Sequence, residues 1–401
     1  MVSKGMLTML FENRNVLLCT VGTSLFDGNL KNISQSDNKP ENWEMISNAY
    51  KQKNWGKLAK ELIKLDPSDR ICGAEINTIN DIIKLKKAPL EEIYFLVSDT
   101  ETGRNTGDTL KEYFTNNNPI KKVHVSIHVI EKLQDQNPKE FKIHGLRNLV
   151  REIGHIVVQG NNLPRSIIDA TGGYKAQIAI AVAIGQILKI PVMYKHERFR
   201  EIIDFPPLPI SFDYSMLGMY ADVFARFERD ETLTYQELLN YLDGSEKEKK
   251  EIYEIIRVFL TEVLIPDTNE TLYELSPMGQ VYITAYRTQF PKPPESLKPS
   301  DNRKKPTFGD DHHYPKGFKD FINKLWEKYK WIHTIYTTDY NKQKAIHGIE
   351  FAVKTINQEK KLIGTYKNDD FGARYIIELS DTGIEALCWA ADFLNRNYDR
   401  N

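Results

Sequence analysis

Cysteine is scarce. The 401-residue chain has three, Cys19, Cys72 and Cys388, far apart and without a Cys-x-x-Cys pair. That excludes a disulfide framework and a zinc ribbon, and points to reduced thiols in a cytoplasm. An excess of one charge is also missing: 54 basic and 55 acidic side chains leave a net charge of −1. A general nucleic-acid coat is thereby excluded, and any such binding must come from local patches. No apolar run near Met1 is long enough for a signal peptide. The longest apolar stretch, near 176–190, is interrupted by Gln177, Gln186 and Lys189 and is too short and polar to span a bilayer. No membrane association and a cytoplasmic location are expected. No Gly-x-Gly-x-x-Gly fingerprint follows a strand candidate, and the Gly56-Lys57 pair is followed by Leu58. A dinucleotide cofactor and a Walker A loop are both unsupported.

What is present is a regular alternation. Short apolar runs at 15–20, 92–97, 123–129, 166–169, 191–194 and 201–204 read as strands. Longer amphipathic runs at 43–64, 77–85, 108–114, 139–158 and 176–188 read as helices. This order predicts an α/β, Rossmann-like domain with a mostly parallel sheet over 14–204. The helix at 176–188 is apolar on nearly every face and is expected to be buried.

Prolines at 206, 207 and 209 mark a boundary. Helices at 219–229, 235–242 and 246–264 follow, then a turn at Pro266-Asp267-Thr268-Asn269, a strand at 272–275 and a helix at 277–287. That order predicts a winged helix-turn-helix over 210–289. A proline- and lysine-rich linker spans 290–311, and a small α+β domain occupies 312–401. Its expected elements are a helix (317–329), a strand (331–337), a helix (342–357), two strands (362–366 and 373–379) and a helix (382–396). Trp326, Trp331 and Trp389 are expected in its core.

Two loops carry the chemistry of the first domain. At Thr20-Val21-Gly22-Thr23-Ser24 an apolar strand runs into small hydroxyl residues, at the sheet edge where ligands bind. At Asp169-Ala170-Thr171-Gly172-Gly173-Tyr174-Lys175 a strand opens into a helix. The glycines allow close approach of a phosphate, the helix N-terminus aims N–H donors at it, Lys175 adds charge and Tyr174 a stacking face. A third loop, 98–107, with Asp99, Thr100, Gly103 and Arg104, is read as covering the same edge.

The first two loops resemble the signature loops of CARF domains, the cyclic-oligoadenylate sensors of type III CRISPR systems, and the winged helix is a usual companion in that family. The resemblance implies a homodimer with a cyclic oligoadenylate, cyclic tetra-adenylate foremost, bound on its two-fold axis as an allosteric activator, with no cofactor. It also implies that Thr20, Gly22, Thr23 and Ser24 bind the ring together with Thr171, Gly172, Gly173, Tyr174 and Lys175. Some CARF domains cleave their activator; Ser24 and Lys175 match the positions such ring nucleases employ. Binding without cleavage stays open.

The 219–287 segment is not strongly basic, since Lys247, Lys249, Lys250 and Arg257 are offset by Glu246, Glu248, Glu251 and Glu254, which favours a dimerising spacer over a DNA reader. In the last domain no Arg–His pair has the spacing of a HEPN ribonuclease. Glu350 and Lys354, four apart on an expected helix, read as a surface ion pair and not as nuclease residues. Size and element order resemble RelE-type mRNA interferases. That implies a metal-independent ribonuclease acting on RNA, including ribosome-bound mRNA, with His313 as acid/base and Lys316, Lys361, Tyr366 and Arg374 around the scissile phosphate. Asp310-Asp311-His312-His313 is the alternative metal reading, although four consecutive residues cannot all face one ion. A stand-alone ring nuclease and a ligand-controlled transcription regulator are the competing functions.

Overall fold

The computed structural model describes residues 11–398, apart from 36–38, 87–88, 117–121, 197–198, 200, 230, 243, 266–269, 310–312, 341–347 and 369–370. The chain divides into two compact units, one of residues 1–211 with 280–288, the other of 212–279 with 289–401.

The first unit is built on a six-stranded sheet. Its strands are β1 (Val16–Thr20), β2 (Glu92–Ser98), β3 (His124–Ile130), β4 (Ser166–Asp169), β5 (Val192–Tyr194) and β6 (Ile203–Phe205), in the order β3-β2-β1-β4-β5-β6. Strands β1 to β5 are parallel and β6 is antiparallel to β5. Both faces of the central strands are covered, since Leu17, Leu18, Ile167 and Ile168 are all fully buried. This is why these runs are continuously apolar rather than alternating. The strand order reverses between β1 and β4, so the crevice at their carboxyl ends is a topological switch point.

Three local expectations change here. The 43–64 helix is two, Trp43–Lys51 and Trp55–Leu62, because Lys53 takes a positive φ of 51° and the Asn54 side chain caps Lys57 N–H at 2.9 Å. The third loop is mostly helix, from Glu101 to Asn116. Its hydroxyls turn inward: Thr100 Oγ1 accepts from Gly103 N–H at 3.0 Å, and Thr106 and Thr109 donate to carbonyls one turn back. The apolar helix Lys175–Ile187 buries Gln177, Ile180, Ala181, Ile184, Gly185 and Ile187, while Ile178, Val182 and Ala183 are only half-buried and Ala179 is exposed.

In the second unit, helices Ser215–Met219 and Ala221–Glu228 precede β7 (Leu233–Thr234). Helices Tyr235–Tyr241 and Glu246–Ile256 follow, then β8 (Leu260–Leu264) and β9 (Thr271–Leu275), paired in the order β7-β9-β8. The helix expected to reach 264 stops at Ile256, because Thr261 and Val263 prefer the strand that pairs with β9. The helix Pro277–Gln289 follows, and most of its length groups with the first unit.

The C-terminal part is a four-stranded antiparallel sheet, β10 (Ile332–Tyr340), β11 (Glu350–Ile356), β12 (Glu359–Asn368) and β13 (Phe371–Leu379), ordered β10-β13-β12-β11. Helices Phe318–Lys328 and Ile384–Asn397 supply Phe318, Ile322, Leu325, Trp389 and Leu394 to one core with Phe351, Val353, Leu362, Tyr375 and Ile377. Trp326 and Trp331 pack against that core, half-buried. The helix expected over 342–357 is replaced by β11 from Glu350 onward, and 342–347 lies outside the described residues. Phe351 and Val353 alternate inward, a two-residue period that a helix cannot satisfy.

Glu350 and Lys354 are therefore not a surface pair. Glu350 is buried and accepts from Arg226 Nε at 2.8 Å, while Lys354 stands 3.7 Å from Asp222 and donates to Tyr241 O. Among the described residues no helix is long and apolar enough to cross a membrane.

Candidate functional site

Strands β1 and β4 run in register, with Cys19 opposite Asp169. Their continuations leave the sheet side by side at the switch point and interlock. Thr20, fully buried, donates its hydroxyl to Gly172 O at 2.6 Å. A Cβ built on Gly22 would stand 2.8 Å from Gly173 N. One on Gly172 would stand 2.1 Å from Glu75 Oε1 and 2.9 Å from Thr20 O. The two loops thus touch main chain to main chain, which only glycine permits. Gly173 adds a φ of +104°. Replacing Thr20 with valine keeps the shape but leaves the buried Gly172 carbonyl unpaired. We expect a loss of about 1–3 kcal/mol of stability, read by urea unfolding.

Beneath the loops lie two fully buried carboxyls. Asp169 Oδ1 accepts from Thr171 N–H at 3.1 Å and Oδ2 from the Cys19 thiol at 3.3 Å. Burial pushes it up to about 6. Glu75, from the helix Gly73–Leu85, accepts from Gly22 N–H at 2.8 Å, and burial pushes it up to about 7. A carboxyl raised from about 4.5 to about 7 on folding holds an extra proton in the folded chain between those values. Stability from this group is therefore lost as pH rises through that window. Gln177, also fully buried, ties the second loop to the sheet by accepting from Tyr174 N–H at 3.2 Å and donating to Leu96 O at 3.3 Å.

Above this frame, Ser24 is exposed at the head of the wide helical turn Ser24–Leu30, which Thr23 precedes. Ser24 and Thr171 line a cavity of about 550 Å³ with Asn77, Asp81, Arg70 and Lys195. Lys195 follows β5, pairs with Asp81 at 2.5 Å, and donates its backbone N–H to Thr171 Oγ1 at 3.0 Å. Lys175 is the exposed first residue of its helix, has no ion-pair partner among the described residues, and is not part of that cavity's wall. The Tyr174 ring meets Phe141 edge-on at 5.1 Å.

The third-loop residues play local parts. Asp99 accepts from Arg104 at 2.5 Å and from Lys132 N–H at 3.1 Å, Thr100 caps the helix, and Gly103 is buried against Ser98.

Sequence reasoning passed over Glu75, Gln177, Asn77, Asp81 and Lys195. Lys195 carried a usable signal, since it immediately follows a parallel strand and so belongs to the same edge. Glu75 carried none, being one polar residue in an amphipathic helix.

In the C-terminal part the five candidates fall into two groups. His313 is exposed and lines a cavity of about 340 Å³ with Tyr314, Pro315, Gly317, Lys319 and Asp320. Tyr366 donates its hydroxyl to Lys316 O at 3.2 Å and packs its ring on Phe318 and Phe321, on the helix-covered face of the sheet. Lys361 and Arg374 point to the other face, as alternation against buried Leu362, Ala373 and Tyr375 requires. Arg374 sits opposite Thr365, four residues from Lys361, so the two cations lie roughly 13 Å apart along the strand. Lys361 pairs with Glu359 at 3.3 Å. Asp310, Asp311 and His312 lie outside the described residues. Among the described residues no group of three or more metal-ligating side chains converges.

Residues 70–208 match the family model described as CRISPR-associated protein (Cas_APE2256). No curated protein matches the sequence. Among solved structures the chain is similar to Can2 from Sulfobacillus thermosulfidooxidans in complex with cyclic tetra-adenylate, at 11% identity and a TM-score of 0.26. The alignment covers 70% of this chain and 65% of that one, so the chain spans less than two thirds of the length of Can2.

Proposed function

We propose that this protein is a cytoplasmic effector of type III CRISPR defence in which the first unit senses a cyclic oligoadenylate, cyclic tetra-adenylate foremost, and gates a ribonuclease at the C-terminal end. The observation that carries the sensor reading is the interlocking of the 20–24 and 170–175 loops at the switch point. It leaves Ser24, Lys175 and the N-terminus of the 175–187 helix open to solvent. Oriented N–H groups, hydroxyls and a lysine at one crevice suit a phosphate-rich ligand. The match of 70–208 to a CRISPR-associated family supports it.

The half-buried apolar side of the 175–187 helix supports pairing with a second copy, which would complete a two-fold site for a two-fold ring. Such a ligand switches the output only if it favours the active arrangement over the idle one. Three of the four cations of the 246–257 segment are drawn into local pairs, Lys247–Glu251 and Lys249–Glu246 at 3.9 Å and Arg257–Glu254 at 3.0 Å. That favours a spacer over a DNA reader for the winged-helix segment.

For the RelE-like output, the centre we favour is His313, Lys316 and Tyr366; Arg374 points to the other face of the sheet and is not part of it. Lys361 is left outside it too. The test is cleavage of free RNA and of a translated message, with and without cyclic tetra-adenylate. Ligand-dependent cutting that falls at least 100-fold in His313→Ala is expected; equal cutting with and without ligand, or none, sinks the reading.

A second activity is favoured by the placement of Ser24 in the cavity beside Thr171 and Lys195. Cleaving the ring needs a 2′-hydroxyl aligned on its own phosphate and groups that stabilise the developing charge. Ser24→Ala is expected to slow ring degradation about 100-fold while RNA cutting persists and lasts longer. Chromatography of the ligand alongside the RNA assay separates the two.

A further inference from the structure

Glu75 occupies the seam between the two loops. Its Oε1 accepts from Gly22 N–H at 2.8 Å and lies 2.1 Å from where a Cβ on Gly172 would be, so one carboxylate oxygen bears on both loops. The residue is fully buried, and Oε2 has no hydrogen-bond partner. The titratable groups that face it are Asp169 from the end of β4 and the Cys19 thiol from β1. Among the described residues no lysine or arginine pairs with it. A carboxylate in this position repels any phosphate seated above it.

We propose that Glu75 is a proton-linked positioning residue of the phosphate cradle: a phosphate-bearing ligand on the two loops is captured together with one proton, which passes from solvent to Oε2 while Oε1 keeps its hydrogen bond from Gly22. The inference rests on the sensor reading and adds the regulation of that site. Asp169 is the competitor for the proton, but both of its carboxylate oxygens accept hydrogen bonds, from Thr171 N–H and the Cys19 thiol, whereas Oε2 of Glu75 has no partner. Donors favour the charged form, so the carboxyl with an unpartnered oxygen, Glu75, is the one that takes the proton. The sign follows. An anion above raises the proton affinity of Glu75 further, so the bound state carries more protons and binding tightens as pH falls.

The experiment is calorimetric titration of cyclic tetra-adenylate into the full chain between pH 6 and 8.5, in buffers of different ionisation enthalpy. Uptake of about half a proton per ligand near pH 7.5 is expected, with affinity weakening roughly tenfold across the range, which corresponds to a shift of about one pKa unit on binding. Glu75→Gln keeps an acceptor for Gly22 N–H and should bind about as tightly as wild type does at pH 6, without the slope. Asp169→Asn should keep the slope. No proton uptake by wild type, or an unchanged slope in Glu75→Gln, overturns the proposal while leaving the sensor intact. Failure of wild type to bind at any pH overturns the sensor reading and this proposal with it. Should Glu75→Gln not fold by circular dichroism, proton uptake by wild type and the Asp169→Asn slope decide.

Discussion

Gly172→Ala is expected to weaken cyclic tetra-adenylate binding at least 100-fold, about 2.7 kcal/mol, while leaving the C-terminal core folded. The added methyl would stand 2.1 Å from Glu75 Oε1, 2.8 Å from Gly22 N and 2.9 Å from Thr20 O. Two of these three atoms are main chain and cannot turn away as a side chain does, so the loops must part. Overpacking of this kind costs about 1–3 kcal/mol in stability, and the larger effect falls on binding because the cradle's donors move together. Gly173→Ala is the useful contrast. Its new methyl meets chiefly the Gln177 side chain, and its φ of +104° adds backbone strain. A side chain yields more readily than main chain, so about a tenfold loss is expected there. Calorimetry for binding and thermal unfolding for the fold test both variants; binding of Gly172→Ala within threefold of wild type would remove the loops from the ligand site.

Arg226→Ala is expected to destabilise the second unit by about 3–5 kcal/mol. Arg226 is only 7% exposed; its Nε donates to Glu350 Oε1 and its Nη1 to Glu231 Oε2, each at 2.8 Å, and its guanidinium lies 4.9 Å from the Tyr241 ring centroid. Glu350, 6% exposed on β11, would be left as a buried charge without its guanidinium. For a unit of this size that corresponds to a fall in melting temperature of roughly 10 °C. Replacing both partners, Arg226→Met with Glu350→Leu, should recover much of the loss, since a buried pair removed together is often close to neutral. A drop of under 1 kcal/mol in the single variant would show that the pair is solvated.

The legible parts of the fold were those whose signal is local. Five parallel strands with helices between them gave apolar runs of four to seven residues, and the β1 and β4 runs end in small residues and glycine. The misreadings came where two local signals competed. The hydroxyl-rich 98–107 stretch looks like a loop because Thr and Asn favour turns, yet its hydroxyls bond to its own helical carbonyls. The 342–357 stretch mixes polar and apolar residues ambiguously, and pairing with β12 decided for β11. Glu350 and Lys354 followed that error, from an expected surface helix to partners of Arg226 and Asp222.

The sequence alone determined the two phosphate-suited loops at the ends of strands, because strand, glycine and helix start are consecutive in the chain. It also determined the near-neutral charge and the change of pattern after the prolines at 206–209. Only the tertiary structure decided that the loops interlock, that Glu75 and Asp169 lie buried beneath them, and that Lys195 joins Ser24 in one cavity. These are contacts between residues tens to hundreds of positions apart. They depend on strand order and register, which no short stretch of sequence encodes.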